Sequence, residues 1–177
     1  MRDVPHPQLG APVIRRLLLD QLDVPSALLH YHLDQLTDDQ LFWEPSATVW
    51  TMHRSADGWS PDWAETEPDP IPVPTIAWLT WHVGWWWSVA SAHLTGATPP
   101  DRLDVDWPGR AAEVGPWLTG VEEDYRSALQ ACPDLDTTTS FPWPPEAGRT
   151  LADTAAWVAV ELTKNAAEIG LLRLLRP

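Results

Sequence analysis

Two short stretches of the 177-residue chain carry the side chains best suited to chemistry. The stretch TIAWLTWHVGWWWS, residues 75–88, places His82 among five tryptophans. The stretch WVAVELTKNAAEIGLL, residues 157–172, has helical spacings of four, four and three between Trp157, Glu161, Asn165 and Glu168. That spacing puts the four side chains on one helical face. If this face opens onto a cleft opposite His82, an imidazole beside a carboxylate could act as a general base.

Structural explanations of the same residues stand beside this one. A histidine among tryptophans is often a core residue with no chemical role. Glu161 and Lys164 are spaced as an i,i+3 ion pair on a solvated surface. The tryptophans suit a buried core, although a ligand pocket would need the same side chains in its walls.

Four helix-like segments must position these residues. Apolar periodicity predicts helices at about 11–35, 75–94, 110–131 and 150–175. Thr75 and Thr150 are expected N-caps, and Gly96 is an expected stop. Residues 37–40 (TDDQ) predict a capping box and a short turn.

The region between the first two long helices differs from the rest. A Ser-Ala-Asp-Gly turn at residues 55–58 separates short apolar–polar alternations and predicts a small hairpin. The proline-rich stretch EPDPIPVP that follows excludes a helix. The fold class is therefore expected to be all-α, an antiparallel four-helix bundle with a small β-hairpin inserted between the first and second helices. One domain should cover residues 1–177, with residues 1–10 flexible.

Composition narrows the class of protein. A net charge of −14 opposes contact with phosphate backbones and anionic lipids, so neither nucleic acid nor membrane is an expected partner. The single cysteine, Cys132, allows neither an intrachain disulfide nor a cysteine-built zinc site. The first ten residues have no apolar signal core, and no run is long enough to span a membrane. A cytoplasmic protein is expected.

The chain resembles the DinB/YfiT-like superfamily of four-helix-bundle metalloenzymes over nearly all of its length. The resemblance is carried by LTDDQLFWEP, by PDPIPVPTIAWLTWHVGWWW and by NAAEIGLLRLL, of which the second is the most specific. Many members bind a divalent metal, often nickel or zinc, through one histidine of the second helix and a His-x-x-x-His pair of the fourth. His82 matches the first position, whereas Glu161 and Asn165 stand where the pair would be.

This departure changes what the resemblance implies about metal. His82, Glu161 and Asn165 would be the ligands of zinc or nickel. Three neutral imidazoles suit these metals, and one imidazole with a carboxylate and an amide is a weaker set. The alternative is a charge-assisted hydrogen bond between His82 and Glu161 with no metal.

The resemblance implies an enzyme related to mycothiol- and bacillithiol-dependent transferases and to a maleylpyruvate isomerase. The protein would then be a metal- or thiol-dependent small-molecule transferase or hydrolase, with a low-molecular-weight thiol as a candidate cofactor. His82 and Glu161 would be catalytic. The substrate would be bound by the indoles and by two polar side chains: Trp78, Trp81, Trp85, Trp157, Asn165 and Glu168.

Two non-catalytic alternatives remain open at this point. The missing histidine pair favours a degenerate bundle that binds a small ligand without turning it over. Exposed tryptophans would instead favour a structural homodimer. The sequence alone leaves open whether the protein is an enzyme.

Overall fold

A computed structural model describes residues 10–56 and 58–176 and shows a mostly helical protein with small strand elements. The helices are α1 (Ala11–Leu33), α2 (Asp38–Leu41), α3 (Ile76–Thr95), α4 (Ala111–Ala131) and α5 (Leu151–Leu175), with a 3-10 turn at Pro145–Ala147. The strands are β1 (Val49–Trp50), β2 (Met52–Ser55), β3 (Gly58–Pro61) and β4 (Val73–Pro74). The flexibility predicted for residues 1–10 falls, except for Gly10, outside the described residues.

The helix ends follow the capping chemistry of the sequence. The Thr75 hydroxyl accepts a hydrogen bond from the backbone N–H of Trp78 at 3.2 Å, and α3 ends at Gly96, whose φ is +72°. Thr150 and Asp153 form a reciprocal capping box at the start of α5. Each cap satisfies an N–H or C=O group that a helix terminus otherwise leaves unpaired. These predicted ends are confirmed to within one residue.

The first part of the chain also matches its local signals. Thr37 and Gln40 form the predicted capping box at the start of α2. The long helix α1 ends at Leu33, two residues earlier than expected, and it contains Pro25 without interruption. Because Pro25 begins no new helix, α1 presents one continuous apolar face to its neighbours.

The segment between α2 and α3 contains two small sheets. β2 and β3 pair antiparallel as the predicted hairpin, with Met52 opposite Pro61. β1 and β4 pair in parallel, which periodicity did not predict, and Trp50 lies opposite Pro74 in that pair. The Thr75 N–H also donates to the Trp50 carbonyl at 2.8 Å. The proline-rich segment is therefore tied to the insertion, and the start of α3 is fixed against it.

The four long helices pack against one another as α1 with α5, α5 with α3, α3 with α4, and α4 with α1. Their buried apolar side chains form one connected core. This cycle of neighbours is what a four-helix bundle requires. The four-helix bundle and its antiparallel order remain predictions.

A buried carboxylate joins α1 to α4. Glu122, only 6% exposed, accepts hydrogen bonds from Ser26 Oγ at 2.7 Å, His30 Nε2 at 3.0 Å and Arg126 Nε at 2.7 Å. Burial alone would raise the pKa of Glu122, but these three hydrogen bonds outweigh it and lower that pKa to about 2. The same contact with Glu122 raises the pKa of His30. The cluster is therefore a charged clamp between two helices.

The sequence predicted that no segment is long and apolar enough to span a membrane. Within residues 10–56 and 58–176, no helix combines the length and apolar character that crossing a bilayer requires.

Candidate functional site

A cavity of about 250 Å³ lies between α3, α5 and the insertion that precedes α3. α3 contributes Trp78, Leu79 and His82, and α5 contributes Lys164, Asn165 and Glu168. The insertion supplies the remaining wall: Trp50, Trp63, Ala64, Ile71, Pro72 and Pro74. The cavity is therefore mostly apolar, with a few polar groups on its helical side, as small-molecule sites commonly are.

Three rings are arranged as a stack at the α3 side of the cavity. The centroids of Trp50 and Trp78 lie 5.0 Å apart, and those of Trp78 and His82 lie 4.5 Å apart with an interplanar angle of 21°. Trp78 is anchored because its Nε1 donates to the Asp62 carbonyl at 2.8 Å. The β1–β4 pairing positions Trp50, and the Thr75 cap positions Trp78. The ring of His82 is thus packed against a side chain that a helix cap and a non-local strand pairing hold in place.

The His82 imidazole is uncharged at neutral pH and lies in mostly apolar surroundings. Burial, with a smaller contribution from the positive charge of Lys164, lowers the pKa of His82 to about 3. Nδ1 is buried and has no hydrogen-bond partner among the described residues. At neutral pH the side chain can therefore offer one N–H donor and one nitrogen acceptor to a molecule in the cavity.

Asn165 is the least satisfied polar side chain of the cavity. It is 1% exposed, and neither Oδ1 nor Nδ2 has a hydrogen-bond partner in the described part of the chain. A buried amide in this state costs about 1–3 kcal/mol relative to a paired one. Such a group at a cavity wall is typical of a site that a ligand or an ordered water completes.

The two predicted carboxylates occupy different positions. Glu168 lines the cavity, and its pKa is raised chiefly by burial, with a further contribution from the nearby charge of Glu161. Glu161 does not line the cavity, since its Oε2 pairs with Lys164 Nζ at 2.9 Å. The side chains of Glu161 and Lys164 are 21% and 53% exposed, so the surface ion pair considered from the sequence is present. His82 and Asn165 thus share a cavity with Glu168 and Lys164.

The remaining predicted tryptophans lie away from the cavity lining. Trp81 and Trp85 stack with their rings nearly parallel, 2° apart, and both contact the edge of Trp63, which does line the cavity. Trp157 belongs to a second aromatic cluster, where it packs against Trp86 and Phe141 at centroid distances of 5.6 and 5.3 Å. Trp81 and Trp85 therefore support a wall of the cavity, and Trp157 is remote from it.

The donor set can be compared with what a divalent metal requires. Within residues 10–56 and 58–176, no three His, Cys, Asp or Glu side chains lie together in a position to hold a metal ion. Of the three predicted ligands, Glu161 is paired with Lys164, which also lines the cavity. A neighbouring cation and a single imidazole do not fit zinc or nickel. We therefore derive no chemistry through a metal, and its binding remains a prediction.

Sequence reasoning missed the part of the site that comes from the insertion and from Lys164. Trp50 and Trp63 flank the hairpin, where their alternation predicted strands and gave no indication of a pocket. The two prolines and the isoleucine of the wall, Pro72, Pro74 and Ile71, belong to a segment that could only be assigned as extended. The parallel β1–β4 pair brings both stretches to α3, and nothing in local sequence encodes that pairing.

These features define a mostly helical protein with an aromatic-walled cavity between two long helices and an inserted segment. Residues 21–169 match the family model of the DinB superfamily. The chain belongs to the DinB superfamily, as the resemblance predicted. No curated protein matches it significantly.

Proposed function

We propose that this DinB-superfamily protein binds a small organic molecule in the cavity between α3 and α5. The observation that carries the proposal is Asn165, a fully buried amide with two unpartnered polar atoms at the wall of that cavity. The buried, unpartnered Nδ1 of His82 lies on the facing helix. A ligand that hydrogen-bonded to these groups would remove the free-energy cost of leaving buried polar atoms unpaired.

The electrostatics of the site favour binding over proton transfer. A general base works best when the pKa of its conjugate acid lies near the working pH. His82 has a pKa of about 3, so its neutral form is a weak base and a good hydrogen-bond partner. Among the functions considered from the sequence, ligand binding without turnover is therefore supported best.

Indole N–H resonances provide a direct test because tryptophans form both the cavity and a remote cluster. The ¹⁵N-labelled protein would be titrated with a panel of small aromatic molecules. Binding should shift the indole resonances of Trp50, Trp63 and Trp78 and leave those of Trp143 and Trp157 unchanged.

A cavity-filling variant and a matched control strengthen this test. Ala64 is exposed to solvent and lines the cavity. Ala64→Trp should therefore weaken binding without disturbing the core. Ala27→Trp places the same side chain on an exposed position of α1 and should leave binding unchanged. Shifts that map elsewhere, no binding at all, or unaltered affinity in Ala64→Trp would contradict the proposal.

A thiol-dependent transferase or hydrolase is the second candidate, and one observation favours it. Glu168 and His82 face the same cavity, and burial moves their pKa values in opposite directions, raising that of Glu168 and lowering that of His82. Pairs of titratable groups whose pKa values are shifted in opposite directions are common in active sites. A thiol could pass its proton to one of them as its sulfur bonds to an electrophilic carbon and the leaving group departs with the bonding electrons.

Thiol transfer can be measured with mycothiol or bacillithiol and an activated aryl chloride. The reaction forms a carbon–sulfur bond, breaks the carbon–chlorine bond and releases chloride. Catalysis lost in His82→Gln and Glu168→Gln but kept in Thr163→Ala, an exposed neighbour on α5, would support the enzyme. Rates equal to the uncatalysed reaction would count against it.

The homodimer through exposed tryptophans receives less support. Trp63, with 36% of its surface exposed, is the most exposed tryptophan of the described residues, and it lines the cavity. A single half-covered indole is a small contribution to an interface that needs a broad apolar surface.

A further inference from the structure

Asn165 gives the cavity a particular hydrogen-bonding pattern. We propose that the cavity recognises an uncharged, planar, fused-ring molecule with a cis-amide (lactam) edge, an inference that rests on the proposed function. Oδ1 and Nδ2 of Asn165 are both buried and unpartnered. An amide side chain presents its acceptor and its donor side by side in one plane. The complementary edge therefore offers an N–H beside a C=O, so that both hydrogen bonds form together.

The shape of the cavity favours a flat ligand of limited size. Trp50, Trp63 and Trp78 contribute aromatic surface to its wall, on which a planar ring can stack or pack edge to face. A cavity of about 150 Å³ holds benzene, and this one measures about 250 Å³. The additional space matches a second fused ring better than a long flexible chain.

The charges around the cavity favour a neutral ligand. The ammonium of Lys164 is already paired with the Glu161 carboxylate at 2.9 Å. Glu168 adds a carboxyl group to the cavity wall. An anionic ligand would therefore lose its hydration without gaining a free cation, whereas the unpartnered amide of Asn165 suits an uncharged edge.

His82 can complete the recognition from the opposite side. A neutral imidazole carries one donor and one acceptor nitrogen, and the buried Nδ1 of His82 has no partner among the described residues. A lactam oxygen has two lone pairs, so it can accept one hydrogen bond from Asn165 Nδ2 and a second from His82. The two helices would then hold the same edge of the ligand.

Three probes of nearly equal shape isolate the lactam edge. 2-Quinolone presents both N–H and C=O, whereas 1-methyl-2-quinolone keeps the carbonyl and lacks the donor. 4-Methyl-2-quinolone carries its methyl group away from the edge and controls for added bulk. Calorimetric titration of the full chain should show that N-methylation weakens binding by about tenfold or more, as expected when a bidentate pair is broken. The 4-methyl compound should bind within about threefold of 2-quinolone if bulk is tolerated.

Variants assign the preference to Asn165. Asn165→Leu should bind 2-quinolone and 1-methyl-2-quinolone equally, and Asn165→Ala, which also lacks both the acceptor and the donor of the amide, should lose the preference as well. Thr163→Leu, at an exposed position two residues away on α5, should keep it. Circular dichroism would verify that Asn165→Leu is folded, and the Ala variant gives an independent reading if it is not.

The outcomes separate this inference from the proposed function. Equal binding of all three probes in the cavity, or a preference that persists in both Asn165 variants, would overturn the lactam inference and leave small-molecule binding intact. No binding of any probe, with other aromatic molecules of the panel shifting Trp50, Trp63 and Trp78, would overturn the inference alone. No binding of any molecule would overturn both.

Discussion

Gly84 of α3 and the Trp117 indole of α4 pack so closely that a β-carbon on Gly84 would overlap the six-membered ring of Trp117. The absence of a side chain lets the two helices approach with the six-membered ring of the indole against the α3 backbone at Gly84. Gly84 lies two residues after His82, so this contact also fixes the height of the site along α3. Glycine is required here by space alone, since its φ is not in the left-handed region.

The first prediction concerns this contact. Gly84→Ala should destabilise the protein by about 1–3 kcal/mol, because the added methyl must displace a large ring in a packed core. Gly120→Ala, in the helix that carries Trp117, meets no atom within 4 Å and should stabilise by about 0.5–1 kcal/mol. Urea denaturation measures the free energy of unfolding of each variant. Equal effects of the two substitutions would show that the close contact is relaxed in solution.

The second prediction is that the unpaired amide of Asn165 lowers the free energy of unfolding. Asn165→Leu replaces an unpaired amide by an apolar group of similar size and should raise the free energy of unfolding by about 1 kcal/mol. Thr80 is a matched buried residue whose hydroxyl donates to the Ala77 carbonyl and accepts from Trp107 Nε1. Thr80→Val should therefore lower stability by about 1 kcal/mol. A large loss in Asn165→Leu would indicate that the amide is paired in solution.

The third prediction follows from the pKa of Glu122. The folded protein holds a carboxylate whose pKa is lowered from 4.5 to about 2, so its stabilising contribution is complete above about pH 4.5 and is lost as the pH falls toward 2. Glu122→Gln should remove about 2 kcal/mol at neutral pH and should flatten the decline of stability in acid. Glu123→Gln, an exposed neighbour, is the control.

His30 makes the contribution of the same clamp to stability depend on pH in the neutral range as well. Its pKa is raised above 6.5, so the stability it contributes is complete below pH 6.5 and is lost as the pH rises through the folded value. Together the two groups predict a maximum of the clamp's contribution between about pH 4.5 and 6.5. A Glu122→Gln variant with the same acid profile as the unaltered protein would contradict this account.

The fourth prediction is that His82 does not titrate in the physiological range. Because burial lowers the pKa of His82 to about 3, its ring resonances should remain those of a neutral imidazole between about pH 5 and 8. His30 should titrate above its ordinary value in the same experiment. The chain has six histidines, and spectra of His82→Gln and His30→Gln assign the two signals. A midpoint for His82 near 6.5 would show that water or a neighbouring charge solvates the ring.

The fifth prediction concerns metal content. Protein purified without a metal-affinity step should contain well below one zinc or nickel per chain, because Glu161 is paired with Lys164 and, within residues 10–56 and 58–176, His82 is the only histidine that lines the cavity. Elemental analysis of the native protein measures this directly. A stoichiometric metal that disappears in His82→Ala would contradict the prediction and restore the metal-dependent mechanism.

Local sequence determined the helices and their ends with little help from the rest of the molecule. Thr75, Gly96 and Thr150 cap or stop helices through contacts with residues at most a few positions away, so their side-chain chemistry is sufficient. The hairpin is equally local, since its two strands meet across one turn. The same spacing rules put His82 and Asn165 on the helical faces they occupy.

Tertiary structure decided which of those faces meet and what stands between them. Glu161 and Asn165 lie one helical turn apart, yet Asn165 is buried at the cavity and Glu161 pairs with Lys164 near the surface. Trp50 reaches the site through the pairing of β1 and β4 across a separation of more than twenty residues, and Trp63 follows Asp62, whose carbonyl accepts a hydrogen bond from Trp78 Nε1. Periodicity fixes the direction of a side chain about its own helix axis, whereas the depth to which it is buried depends on how neighbouring elements pack against that face. The sequence therefore determined the helices and the family, and packing alone decided that an unpaired amide, a neutral imidazole and three indoles surround one cavity.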